Sequence, residues 1–144
     1  MTNESTKIPT WFWVVSSIAL VWNLMGCFAY LGQAMMTEEM IAALPDAEQA
    51  LYQNIPAWVT AAFAIAVWGG AAASLLLLLK RKIATPIFIL SILGIIAQMS
   101  YNLFMSEALE VFGATGLIFP IMTLLIGLGL IYFSRFATQN GWLR

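Results

Sequence analysis

The sequence predicts an all-α membrane protein, an antiparallel bundle of four transmembrane helices with short amphipathic helices in its first outer loop. Of the 144 residues, 62% are hydrophobic and only 9% are charged, whereas about a quarter of the residues in a soluble domain are charged. Four apolar runs each reach the roughly 20 residues that a helix needs to cross a bilayer. The runs cover residues 11–34, 57–79, 84–106 and 117–136, within a single membrane domain over residues 1–144.

The first run follows a short polar tail and opens with three aromatic residues, Trp11-Phe12-Trp13. Aromatic rings are typical of the membrane interface, so the helix is expected to begin there. An alternative is a lipoprotein signal, because Leu24-Met25-Gly26-Cys27 resembles the motif in which the cysteine is acylated. The apolar run continues past this motif to Leu31, whereas a signal segment is normally shorter. We therefore interpret the run as the first span.

The loop over residues 35–56 is the only sizeable connection. Its charged residues are all acidic: Glu38, Glu39, Asp46 and Glu48. Thr37 is placed to cap a helix, and Pro45 is expected to divide the loop into two short helices that lie on the membrane surface. The loop could be an acidic lid over a site, or its helices could simply present a solvated charged face. We favour the second interpretation.

The second span carries a stripe of small residues at every fourth position. The stripe consists of Ala62, Ala66, Gly70 and Ser74, a spacing that lets the backbone of another helix approach closely. Trp58 marks the outer end of this span, and the leucine run 75–79 is expected to face lipid. The span ends at the basic triplet 80–82.

The third and fourth spans are bounded by a proline, by acidic residues and by a glycine-containing turn. Pro86 fits the first turn of the third span, where a missing N–H costs nothing. Glu107 and Glu110 mark its outer end, and the turn 113–116 leads into the fourth span. The tail 137–144, with Trp142, is expected to lie in or near the interface.

The charges predict the orientation, because bases and acids are segregated. All six basic residues fall on one side: Lys7, Lys80, Arg81, Lys82, Arg135 and Arg144. Six of the seven acids fall on the other: Glu38, Glu39, Asp46, Glu48, Glu107 and Glu110. Positive residues stay in the cytoplasm. The expected location is a bacterial inner membrane with both termini cytoplasmic, the acidic loops periplasmic, and Lys80, Arg81 and Lys82 fixing the topology.

The polar residues inside the predicted spans are neutral. No span has an acid or base near its middle, which argues against a proton-coupled pump. The chain has no histidine and one cysteine, so we expect no metal site, no cofactor and no enzyme. No basic tract suggests nucleic acid. Asn23 and Gln98 are each expected near the middle of the membrane, and Asn102 shares a helix face with Gln98.

These amides have two interpretations. They could form hydrogen bonds between helices, which is the interpretation we favour because buried polar pairs commonly serve packing. They could instead line a polar cavity for a neutral ligand such as a sugar. In that case Trp22, Trp68 and Tyr101 would supply rings for the apolar face of the sugar.

Several stretches resemble a family of small bacterial four-span membrane proteins that is commonly labelled "sugar transporter". The stretches are Trp11-Phe12-Trp13, Trp22-Asn23-Leu24-Met25-Gly26, Ala43-Leu44-Pro45, Pro56-Ala57-Trp58, Val67-Trp68-Gly69-Gly70 and Gly141-Trp142-Leu143. The resemblance covers nearly the whole chain and implies four spans and sugar transport. It carries over no binding residue.

Three functional hypotheses follow. The first is a carrier or channel for a small neutral solute. Such a protein would oligomerise through the small-residue stripe, because four helices leave little room for an aqueous path within one subunit. The second is a scaffold that binds another membrane protein through the same stripe. The third, which we favour least, is a membrane enzyme. A carrier predicts a wet cavity that touches both Asn23 and Gln98, and a scaffold predicts a dry core.

Overall fold

A computed structural model describes residues 7–53 and 55–144, and all regular structure in these residues is helical. The elements are α1 Thr10–Ala34, α2 Glu38–Ala42, α3 Asp46–Gln53, α4 Ala57–Leu78, α5 Ala84–Ser100, a π-helical turn Tyr101–Met105, α6 Ala108–Phe112, a 3₁₀ turn Ala114–Leu117 and α7 Ile118–Gln139. Four helical segments are long and apolar enough to cross a membrane: Thr10–Ala34, Ala57–Leu78, Ala84–Met105 and Ala114–Gln139. The predicted all-helical fold with four long apolar helices is therefore confirmed.

The long helices pack in the order α1, α4, α5, α7. Helix α4 packs against both α1 and α5, and α5 also packs against α7. The remaining side of the bundle, between α1 and α7, is a seam of aromatic rings. In this seam Trp11 lies 5.8 Å from Phe133, and Trp22 lies 5.7 Å from Phe119, measured between ring centroids.

Helix α4 occupies a central position because its small residues let two neighbours approach. The four stripe residues, Ala62, Ala66, Gly70 and Ser74, are all buried. On the α5 side, the Ser91 hydroxyl donates a hydrogen bond to the Ala66 carbonyl at 2.6 Å, and Gly94 lies against the Ala62 carbonyl. On the α1 side, Asn23 lies against Gly70. The stripe therefore packs neighbouring helices of the same chain, and the expectation that it binds a second subunit or a partner stays a prediction.

The leucine run at the end of α4 does not face lipid as a whole. Leu77 is fully buried, whereas Leu75 and Leu79 are about half exposed. A helix turns by 100° per residue, so five consecutive leucines necessarily reach both its outward-facing and its core-facing side. The expectation for residues 75–79 is therefore wrong at Leu77.

We call the end of the bundle that carries α2, α3 and α6 the acidic end, and the opposite end, at residues 80–82, the basic end. The main hydrophobic core lies at the basic end. Its fully buried large side chains are those of Phe12, Leu77 and Phe88. Trp142 and Leu143 complete it, with at most 9% of each side chain exposed. The Trp142 ring packs edge-on against Phe12, so it is part of the core, and the expected position of the tail in or near the interface stays a prediction.

The backbone ties this tail to the turn between α4 and α5. Lys82 donates its N–H to the Arg144 carbonyl, and Arg144 donates its N–H to the Lys80 carbonyl, both at 2.8 Å. Lys80 has a φ of 59°, a left-handed conformation that costs most side chains roughly 1 kcal/mol. The turn is thus held by the tail as well as by its own residues.

At the acidic end, the loop folds as short helices on either side of Pro45. Thr37 caps α2, because its hydroxyl oxygen accepts the Met40 N–H at 3.2 Å. The Gln49 side chain of α3 donates to the carbonyls of Ala42 and Leu44 and so fixes the angle between α2 and α3. Helix α3 also contacts α6. The two outer connections therefore meet over the ends of the long helices.

Candidate binding cavity at the acidic end

A cavity of about 330 Å³ lies at the acidic end, where all four long helical segments and the two outer connections contribute walls. Val59 and Phe63 of α4 and Met99 of α5 form apolar walls. Leu51 of α3 and Phe112 of α6 come from the connections. Small-molecule pockets begin at about 300 Å³, so the cavity has the size of a site for a small solute.

Polar side chains from four elements line the cavity. They are Gln33 of α1, Tyr52 of α3, Gln98 of α5, and Tyr101 and Asn102 of the π-helical turn. Each amide offers both a donor and an acceptor, and each phenol can do either. No described residue that lines the cavity is an acid, a lysine or an arginine. The cavity is therefore suited to a neutral ligand that has hydrogen-bonding groups and an apolar surface.

The π-helical turn builds one wall. The sequence predicts a continuous α-helix through residue 106, but the structure changes to π geometry directly after Ser100. Such turns are frequent at functional sites because the extra residue redirects side chains. Here the turn places Tyr101, Asn102 and Leu103 in succession on the cavity wall. The Tyr101 ring also packs edge-on against Trp58, with ring centroids 5.8 Å apart.

Ser106 ends the π-helical turn and begins the next element. Its hydroxyl donates to the Asn102 carbonyl at 3.1 Å and accepts the Ala108 N–H at 3.2 Å. A single side chain therefore fixes the backbone of Asn102 and caps α6. Gly113 follows α6 on the cavity wall, and its φ of 67° would strain any residue with a Cβ.

The structure brings together three of the six residues that the sequence proposes for a cavity. Gln98, Tyr101 and Asn102 line it. Asn23 instead donates its amide to the Ala19 carbonyl at 2.8 Å and to the Ser74 hydroxyl at 3.2 Å. Among the described residues no hydrogen bond joins Asn23 to Gln98. Asn23 therefore has the packing role that was favoured for both amides, and the two do not act as a pair.

The two candidate tryptophans also lie away from the cavity lining. Trp22 packs against Phe119 in the seam between α1 and α7. Trp68 is 44% exposed on α4 and packs edge-on against Tyr30 of α1. Neither ring faces a ligand in the cavity, although Phe119 itself lines it. The aromatic rings that line the cavity are those of Tyr52, Phe63, Tyr101, Phe112 and Phe119.

Sequence reasoning missed Gln33 and Tyr52. Gln33 lies at the end of α1, where a polar residue is ordinarily solvated. Tyr52 belongs to the helical apolar spacing of the loop, which indicates burial but not what the side chain meets. A pairing of the loop with the third span would have identified both, and no local pattern encodes that pairing.

The surroundings of the cavity are acidic. All six acids of the described residues lie at this end, and none has an ion-pair partner among those residues. This charge repels anions and leaves neutral solutes unaffected.

In comparisons with known protein families, curated proteins and solved structures, none matches this chain. The resemblance to the small four-span family labelled "sugar transporter" therefore stays a prediction.

Proposed function

We propose that the protein is a multi-pass membrane protein whose four long segments form an antiparallel bundle, and that it carries a small neutral solute, such as a sugar, through the cavity at the acidic end. The antiparallel arrangement is supported by pairs of contacts on neighbouring helices. Asn23 contacts Ser74 while Tyr30 contacts Phe63. Thr85 bonds to Ser134, whereas Ile92 lies beside Gly127.

The observation that carries the proposal is the uncharged polar lining of the cavity. Hydroxyl groups of a sugar can both donate to and accept from the amides of Gln33, Gln98 and Asn102. The apolar face of a sugar ring can lie on an aromatic ring such as that of Tyr101. A charged solute would lose its hydration in this cavity without gaining an ion pair.

A carrier fits this architecture better than a channel. A channel needs a continuous path, but the basic end is filled by Phe12, Phe88 and Trp142. The cavity therefore reaches one side only, as in one of the two states of a carrier. The charge distribution supports a bacterial inner membrane, with the acidic end and the cavity periplasmic and both termini cytoplasmic.

Uptake by proteoliposomes tests the proposal. With a panel of radiolabelled neutral monosaccharides, we expect the purified protein to transport at least one of them. The double variant Gln98→Leu/Asn102→Leu removes two amides from the cavity. It should reduce uptake of the transported sugar at low sugar concentration at least tenfold, because each lost hydrogen bond costs about 1 kcal/mol or more. Asn140→Leu, which removes an amide at the basic end, is the matched control. Uptake by the double variant equal to that of the wild type would overturn the proposed lining.

A further inference from the structure

Two adjoining open cavities lie on the surface at the basic end, one between α7 and the start of α5 and the other on α7 alone. One has a volume of about 250 Å³ and is lined by Lys82, Thr85, Arg135, Thr138 and Gln139. The other has a volume of about 340 Å³ and is lined by Leu128, Ile131, Tyr132, Arg135, Phe136 and Gln139. Because Arg135 and Gln139 belong to both, a cationic polar cavity continues into an apolar one.

Within the cationic cavity the donors differ in what they already bind. The Thr85 hydroxyl donates to Ser134 at 2.9 Å, and the Thr138 hydroxyl donates to the Ser134 carbonyl at 2.8 Å. The Thr85 hydroxyl thus joins α5 to α7, the Thr138 hydroxyl bonds within α7, and neither has a proton left for a ligand. The Lys82 ammonium, the Arg135 guanidinium and the Gln139 amide remain as donors. Together they suit an anion with several oxygens.

No acid of the described residues neutralises these cations. Every acid in residues 7–53 and 55–144 lies at the acidic end, and no ion pair involves Lys82 or Arg135 within those residues. A planar guanidinium beside an ammonium is a common way to hold a phosphate group.

The apolar cavity extends from this position along α7. Leu128 is seven residues before Arg135, so the lining runs for roughly 10 Å along the helix axis. Residues 128, 131, 132, 135 and 139 recur at helical spacing and form one face of α7. Tyr132, which is 72% exposed, lies on this face one turn from Arg135. The arrangement places an apolar groove directly below a cationic cavity.

We propose that this face binds one anionic phospholipid, with its phosphate between Lys82 and Arg135 and an acyl chain along the groove of Leu128, Ile131 and Phe136. A free phosphate would satisfy the cations but leave the groove empty, which is why a lipid fits better. The proposal rests on the membrane insertion proposed above and not on solute transport. Basic pockets between membrane-spanning helices on the cytoplasmic side are suited to anionic headgroups.

Native mass spectrometry of the full chain in detergent, with added phosphatidylglycerol or phosphatidylcholine, tests the proposal. We expect one phosphatidylglycerol to be retained in preference to phosphatidylcholine. Lys82→Gln and Arg135→Gln should each weaken this retention about fivefold, since a basic residue near an anionic headgroup contributes about that factor. Arg81→Gln is the matched control, because it removes the same charge from the same turn without lining either cavity.

Equal loss in Arg81→Gln would show a general charge attraction and would overturn the site. Full displacement of the lipid by an equal concentration of inorganic phosphate would assign the cations to a free anion and overturn the lipid. Leu128→Trp, which fills the groove without changing charge, should weaken retention of phosphatidylglycerol, and unchanged retention would also count against the acyl-chain position. Extraction of membranes with carbonate measures insertion separately, so failure of the lipid site and failure of membrane insertion are distinguishable.

Discussion

At the residue scale, Gly94 allows the backbones of α4 and α5 to approach each other closely. A Cβ on this residue would lie 2.7 Å from the Ala62 carbonyl oxygen and 3.0 Å from the Ala66 nitrogen. Both are backbone atoms of α4, so neither can rotate away. Gly129 of α7 offers a contrast, because an added Cβ there would meet nothing within 4 Å. Alanine substitutions at these two positions therefore distinguish the effect of close packing, which differs between them, from the effect of helix propensity, which they share.

We expect Gly94→Ala to lower the free energy of unfolding by about 1–3 kcal/mol, because overpacking would force α4 and α5 apart. Gly129→Ala should raise it by up to about 1 kcal/mol, because alanine loses less conformational entropy in a helix. Denaturant unfolding in detergent micelles, followed by circular dichroism, measures both. A Gly94→Ala variant as stable as Gly129→Ala would contradict the described approach of the helices.

At the scale of elements, the basic end depends on the segment that follows α7. Trp142 packs against Phe12 and Phe136, with ring centroids 5.8 and 5.5 Å away. The backbone bonds between Arg144 and the turn at residues 80–82 hold this segment in place. The tail therefore contributes to the core alongside the four long helical segments, although it has no regular secondary structure after Gln139.

We expect Trp142→Ala to destabilise the protein by about 3 kcal/mol or more, as large-to-small changes in a core commonly do. Trp68→Ala is the matched control, since it removes the same ring from a half-exposed position, and it should cost less than half as much. Thermal unfolding followed by near-ultraviolet circular dichroism compares the two. Equal shifts in the unfolding temperature would place Trp142 outside the core.

The elements also show what the sequence can and cannot predict. The stripe from Ala62 to Ser74 predicts close packing because small residues every four positions form a flat face. It cannot predict whether the neighbour belongs to the same chain. Trp142 suggests an interface because a tryptophan beside a basic residue is typical of one. The π-helical turn at residues 101–105 has no local signal, so the sequence names Tyr101 and Asn102 but not the geometry of the wall that they form, and Gln33 and Tyr52 come only from the structure.

At the scale of the whole molecule, the cavity and the acids of the described residues lie at one end of the bundle, and the basic turn at residues 80–82 lies at the other. Cys27 is buried and its thiol donates to the Val67 carbonyl, so the natural cysteine is shielded from water-soluble reagents. Introduced cysteines can therefore report which side of the membrane each end faces. Glu39 in α2 and Arg81 in the basic turn are both exposed and suit this purpose.

In intact bacterial cells treated with a membrane-impermeant maleimide that reaches the periplasm, we expect labelling of Glu39→Cys but not of Arg81→Cys. In inverted vesicles the pattern should reverse, because the proposed orientation places the basic end in the cytoplasm. The unsubstituted chain, which keeps Cys27, is the control and should stay unlabelled in both. Labelling of Arg81→Cys in intact cells would overturn the proposed orientation, as would a reporter fused after Arg144 that reports the periplasm.

The ring seam between α1 and α7 gives the bundle one side that differs from the other three. Elsewhere neighbouring backbones pack closely, and separating them would break hydrogen bonds such as that between Ser91 and Ala66. At the seam, the Phe119 ring both closes the gap against Trp22 and borders the cavity. Phe119 is 63% exposed, so the ring that borders the cavity also faces the outside of the bundle. On this side a single aromatic side chain, and no close contact between helix backbones, separates the cavity from the surroundings of the protein.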